Sequence, residues 1–184
     1  MDDLLYNRVT NHLKVSQVIA LVMLISNILI GLLIFVLHEI NPPVPAGTTI
    51  GMVSVVLGLV AGGASLIAAL ILPAVIVKSG KRRIAIRRSG RPKSTFEDSG
   101  SHDAKSWDKY QLCILYLASN VAYTAMLEGG AFINLVALMK QPSNYNAIVV
   151  VVLVFLMLLR FPTLGQVLKW TEAQPRKLAD YSPP

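Results

Sequence analysis

Two ionisable side chains, Glu128 and Arg160, stand alone inside long apolar runs of this chain. A carboxylate in such surroundings can carry a proton, hold a cation or pair with a base. Its placement there costs several kcal/mol unless one of these roles offsets the cost. At about 100° per residue around a helix, Thr124 lies about 40° from Glu128, Asn120 about 80° and Asn134 about 120°, all on one side. Tyr116 and Tyr123 fall on the same side, whereas Val121, Ala125, Phe132, Val136 and Met139 occupy the other. Glu128, Asn120, Thr124 and Asn134 therefore form a polar stripe that cannot face lipid, suited either to ion binding or to a hydrogen-bonded seam between helices. Gly129 and Gly130 follow the carboxylate and admit a close neighbour. Arg160 is its candidate partner. Counted from the outer ends of their runs, Glu128 and Arg160 differ in depth by only about 3 Å at about 1.5 Å per residue, so an ion pair is geometrically reasonable. The alternative is that Arg160 snorkels towards the headgroups.

The elements that must position this stripe are four apolar blocks, at residues 15–37, 50–77, 110–139 and 147–168. Each exceeds the ~20 residues a helix needs to cross a hydrocarbon core of about 30 Å. The blocks are continuous rather than alternating, which excludes barrel strands. Of the 184 residues 54% are hydrophobic and only 15% charged, against roughly 25% charged in soluble chains. The expected fold class is all-α: a polytopic membrane protein of four transmembrane helices in an antiparallel bundle. Residues 1–14 form a head, 38–49 and 140–146 short outer connections, 78–109 a basic cytoplasmic connection and 169–184 a tail.

Lysine and arginine set the orientation. The connection 78–109 carries ten of the 17 basic residues, and the net charge is +7. The head and tail carry most of the rest and the outer connections only Lys140, so the positive-inside rule places both termini in the cytoplasm. Trp107, Tyr110 and Trp170 fit interfacial anchors on that side and Tyr145 on the other. Lys81, Arg82, Arg83, Arg87 and Arg88 continue the second block as a basic helix that can contact anionic headgroups or an acidic protein partner. No aromatic residues interleave this run, which argues against nucleic acid. Residues 89–104 are rich in Ser, Gly and charge and read as flexible. The head, with Leu4, Leu5, Val9 and Leu13 on one face, reads as an interfacial helix.

Pro73 and Pro162 are expected to kink or end their helices. Gly58 and Gly62, four apart and flanked by Ala61, Ala64 and Ser65, allow close helix approach, within one chain or between two. Cys113 reads as a small packing residue. The three histidines are dispersed, and the chain holds no HExxH, nucleophile elbow or phosphate loop. No enzyme activity, metal site or cofactor is expected.

The run Ala125-Met126-Leu127-Glu128-Gly129-Gly130-Ala131-Phe132-Ile133-Asn134-Leu135-Val136-Ala137-Leu138 resembles the carboxylate helix of rotor-ring proteolipids, the c-type subunits of rotary ATPases. That resemblance implies a proton- or sodium-carrying Glu128 in an oligomeric ring. It covers about fourteen residues. The chain departs from the family in its long cytoplasmic connection and in lacking a dense glycine repeat in the second block. Leu158-Leu159-Arg160-Phe161-Pro162-Thr163 with Trp170 resembles the C-terminal end of uncharacterised four-span bacterial membrane proteins. This implies residence in the bacterial inner (cytoplasmic) membrane and assigns no activity. Two function classes remain open: a homo-oligomeric structural or assembly protein with the stripe as its seam, and a proton- or cation-conducting or ion-coupled subunit using Glu128.

Overall fold

The computed structural model describes residues 3–40, 49–89 and 101–174. Among the described residues five helices follow one another: α1 Asp3–Ile40, α2 Thr49–Ser89, α3 Ser101–Lys140, α4 Asn144–Leu159 and α5 Leu164–Glu172. Among the described residues there is no strand. A helix satisfies every internal backbone group within its own segment, which apolar surroundings require. Three helices, α1, α2 and α3, are each long and apolar enough to cross a membrane. A fourth span is counted if α4 and α5 are taken together as one broken span.

The three long helices overrun the apolar blocks. At 38, 41 and 40 residues they reach roughly 57–62 Å, about twice a hydrocarbon core. The described part of the head is helical and forms the first turns of α1, leading directly into the first block. The basic run does continue the second block within α2. Helix α2 passes through Pro73 without ending. Pro162 does break its helix: α4 stops at Leu159, so the continuous fourth block of residues 147–168 becomes a 16-residue helix, a break and a 9-residue helix. Thr163 then starts α5 with a reciprocal cap, its hydroxyl accepting from Gln166 N at 3.4 Å while Gln166 Oε1 accepts from Thr163 N at 3.3 Å. The proline-rich outer connection (41–48), most of the stretch read as flexible (90–100) and the end of the tail (175–184) lie outside the described residues.

Contacts divide the chain into two compact units. The first comprises Met1–Gln17, Pro73–Asn120 and Pro162–Pro184, and the second Val18–Leu72 and Val121–Phe161. In the first unit Val9 and Leu13 of α1, Cys113 and Leu117 of α3 and Val167 of α5 form a buried cluster. Cys113 is a packing residue here. Thr171 Oγ1 spends its proton on Val167 O at 2.7 Å, so the Cys113 thiol, 3.3 Å away, is the donor to that hydroxyl. Gln17 of α1 donates from Nε2 to the Pro162 carbonyl at 2.9 Å, satisfying a backbone group freed where the helix breaks.

In the second unit Tyr123, Leu127 and Ala131 of α3 pack with Ala69 of α2 and Leu153 and Met157 of α4. The most apolar stretch of α3 is 44% buried against 17% for those of α1 and α2, so α3 is the most buried of the three long helices. Large apolar side chains outside that contact, such as Val22 and Leu29 of α1, Val60 and Leu70 of α2 and Val151 and Phe155 of α4, are exposed, the arrangement expected of lipid-facing surface.

Candidate functional site: the polar stripe of the third helix

At Asn134 the stripe is held by the closeness of α2. Positions rise along α2 as they fall along α3, an antiparallel pairing that places Gly58 by Ala137, Gly62 by Asn134 and Ser65 by Gly130. A Cβ on Gly58 would lie 2.5 Å from Asn146 Nδ2, 3.0 Å from Asn134 Oδ1 and 3.0 Å from Ala137 Cβ. One on Gly62 would lie 2.7 Å from Val149 Cγ1 and 2.9 Å from Asn134 Nδ2, and one on Gly130 would lie 2.6 Å from Ser65 Cβ. The small residues of the second block thus pack within the chain, one of the two roles expected for them. They leave room in which an asparagine amide stands between two helix backbones.

Asn134 is the clearest occupant of that room. It is 0% exposed, and its Nδ2 donates to Gly130 O, one turn back, at 2.9 Å. Asn146, also 0% exposed, meets it from α4, although the sequence alone assigned it to an outer connection. Asn134 Oδ1 and both amide atoms of Asn146 are buried without a hydrogen-bond partner. Thr124 and Asn120 are buried on the same helix, each within its own unit.

Glu128 is half-buried rather than enclosed, next to the exposed Gly129. Ser26 of α1 approaches it, with Oγ 3.1 Å from Glu128 Oε1 and 2.8 Å from Met23 O. That geometry suits both forms of the acid. As a carboxylate Glu128 accepts the Ser26 proton. As a carboxylic acid it donates to Ser26 Oγ, and Ser26 turns its proton to the Met23 carbonyl. In the sequence Ser26 interrupts an apolar run, and no local signal names its partner. The parallel run of α1 beside α3, with Gly31 facing Leu135, brings the two together.

The candidate Glu128–Arg160 ion pair is not among the contacts of the described residues. Arg160 instead lays its guanidinium 4.2 Å from the centroid of the Tyr123 ring. The reason is register. Helix α4 begins at Asn144 rather than Ala147 and α3 ends at Lys140. Arg160 therefore lies about 24 Å along α4, and Glu128 only about 18 Å back along α3, whereas Tyr123 is about 25 Å back. The arginine meets the tyrosine at its own depth. Replacing Arg160 by Gln or Tyr123 by Leu is expected to destabilise the chain. A double-mutant cycle in detergent unfolding should give a coupling of about 0.5–2 kcal/mol. The Glu128→Gln and Arg160→Gln pair should be additive.

At the basic end, Lys81 departs from its expected role in lipid contact. It is 8% exposed, with Nζ 5.8 Å from the centroid of Trp170, and Trp170 itself packs tilted against Tyr116 with ring centroids 5.3 Å apart. Arg82 and Arg83 are exposed. The side chains of Arg87 and Arg88 lie outside the described residues. Among the described residues no three His, Cys, Asp or Glu side chains gather as a metal site.

Fold and stripe together define the class: an all-α polytopic membrane protein with a polar stripe on its third helix. Comparison with protein-family models, with curated proteins and with solved structures finds no match to the chain.

Proposed function

We propose that the chain is a small, non-enzymatic integral membrane protein with a structural or assembly role, working as a homo-oligomer, in which the polar stripe of α3 is a helix-packing seam. The observation that carries this reading is Asn134, wholly buried and seated against Gly58 and Gly62. A polar side chain packed into glycine-lined space serves cohesion between helices, a use of small and polar residues typical of membrane interiors. Oligomerisation is supported by the place where the seam opens. Glu128 is half-buried and Gly129 has nothing within 4 Å of a would-be Cβ, so a carboxylate inside a span stands beside open backbone. Lipid is a poor cover for such a group, and a second copy is a better one. In this reading both termini and the basic end of α2 lie at the cytoplasmic face of a bacterial inner membrane, with Arg82 and Arg83 towards anionic headgroups or an acidic protein partner.

Native mass spectrometry tests it. The wild-type chain is expected as an oligomer, and Gly129→Leu as a monomer with an unchanged melting temperature. A monomeric wild type, or a Gly129→Leu chain that assembles normally, contradicts the reading.

A second reading, a proton- or cation-conducting or ion-coupled subunit, is favoured by the Ser26 contact, which satisfies Glu128 in either protonation state. It also follows from the resemblance to rotor-ring proteolipids. The two readings separate in proteoliposomes. The assembly role predicts flux equal to that of empty vesicles. The ion-coupled role predicts flux that Glu128→Gln abolishes.

A further inference from the structure

In the first unit, α1, α2 and α3 border an open groove of about 460 Å³. Its floor is apolar, formed by Ile84 of α2 and by Leu115 and Ala118 of α3. Its rim is cationic and aromatic, formed by Arg83 of α2, His12 of α1, and Trp107 and Tyr110 of α3. The rim is organised by contacts among these side chains. The Tyr110 hydroxyl lies 2.9 Å from His12 Nε2, and the Tyr110 ring is 5.9 Å from that of His12 and 5.5 Å from that of Trp107. Towards the floor a side chain on Gly80 would overlap Leu115, so α2 and α3 touch there and close the groove's wall. From Trp107 to Ala118 the groove follows α3 for about 16 Å, running from the aromatic rim into the apolar stretch.

Charge around the rim has one sign along α2. Lys78, Arg82 and Arg83 are exposed, and residues 78–89 contain no acidic side chain. Lys81, the member of this series turned away beneath Trp170, is not on the rim. Cation and aromatic groups at one end of an apolar trough complement a molecule with an anionic head and a hydrocarbon tail. A soluble phosphate would leave the floor unused. A peptide would find, beyond the rim, only Gln111 among the lining side chains as a polar partner for its backbone.

We propose that this groove binds one anionic phospholipid, its phosphate held at Arg83 and His12 and one acyl chain lying along the floor. The site deepens the proposed function by naming a lipid partner, and it rests on that reading only in needing the bilayer at this end of the helices.

The test is fluorescence quenching of the full chain carrying Trp170→Phe, which leaves Trp107 as the reporter. The chain is reconstituted in phosphatidylcholine vesicles with increasing amounts of phosphatidylglycerol brominated on its acyl chains, or of phosphatidylcholine brominated likewise. Half-maximal quenching is expected at a mole fraction about fivefold lower for the anionic lipid, the effect of one basic contact at a membrane surface. Arg83→Gln should remove that preference. Ala118→Phe, which fills the floor without altering charge, should weaken quenching by both lipids. Inorganic phosphate should leave the curves unchanged. Equal quenching by the two lipids overturns the site, as does a preference that survives Arg83→Gln or displacement by inorganic phosphate. These outcomes are independent of whether the chain is an oligomer, so the site and the assembly role fail separately.

Discussion

A single methyl group added at Gly62 is expected to destabilise the folded chain by about 1–3 kcal/mol, whereas the same methyl at Gly63 should cost nothing. The two glycines are neighbours in sequence and share helix α2, so backbone propensity cannot distinguish them. Their surroundings do. A Cβ on Gly62 meets Val149 Cγ1 at 2.7 Å and Asn134 Nδ2 at 2.9 Å, both on side chains held in a packed interior, and one on Gly63 meets nothing within 4 Å. Overpacking a filled contact forces off-rotamer side chains or moves a helix, and neither is available cheaply where α2, α3 and α4 converge. The same contrast should hold on α3 between Gly130, which abuts Ser65, and Gly129, which abuts nothing. Gly129→Ala should leave unfolding unchanged, and any effect it has should appear in oligomer dissociation. Thermal or denaturant unfolding of the four Gly→Ala variants in one detergent checks all of this.

Asn134→Asp is expected to have the largest effect of any single polar substitution on the stripe, a loss of about 2.5–3.5 kcal/mol, the insertion cost of an aspartate mid-span. The substitution is nearly isosteric, so the penalty is electrostatic. Asn134 Nδ2 donates to the Gly130 carbonyl at 2.9 Å. A carboxylate oxygen in its place sets two acceptors against each other and buries a charge with no base beside it. Asn134→Ala removes the bond without adding charge and should cost less, about 1–2 kcal/mol. Folded yield and melting temperature read both. An Asn134→Asp chain that folds well and binds monovalent cations more tightly than wild type would mean that the amides are cation ligands rather than a seam.

How much of this was legible in the sequence depended on distance along the chain. The apolar blocks, the helical class, the face shared by Thr124, Glu128 and Asn134, and the helix break at Pro162 are all local, set by periodicity and by the missing proline N–H. The small residues of the second block announced a close approach but not its partner. Tertiary pairings were beyond reach. Ser26 meets Glu128 only because α1 and α3 run side by side. The Glu128–Arg160 pairing failed on a few residues of register, since the start of α4 at Asn144 carries Arg160 past Glu128 to Tyr123. Helix overrun was legible in part, since the basic run reads as a helical continuation of the second block and the head as a helix. The turns of α1 that bear Val9 and Leu13, and the end of α2 that bears Ile84, carry too much polar sequence to read as span. They remain helical where their apolar residues pack on α3 and α5. Lys81 shows the same limit, because a basic residue in a basic run gives no hint that a tryptophan 89 positions later covers it.

The central claim, that α2 and α3 are held together by small residues along the stripe, is tested most directly by exchanging the side chains at one contact. Gly130→Ala places a methyl 2.6 Å from Ser65 Cβ and 2.8 Å from Ser65 Oγ, and Ser65→Gly removes both atoms. In a double-mutant cycle read by unfolding in detergent, Gly130→Ala alone should cost about 1–3 kcal/mol and Ser65→Gly alone about 1 kcal/mol. The pair together should be little worse than Ser65→Gly alone, a coupling of about 1 kcal/mol or more. Strict additivity of the two substitutions would contradict the seam.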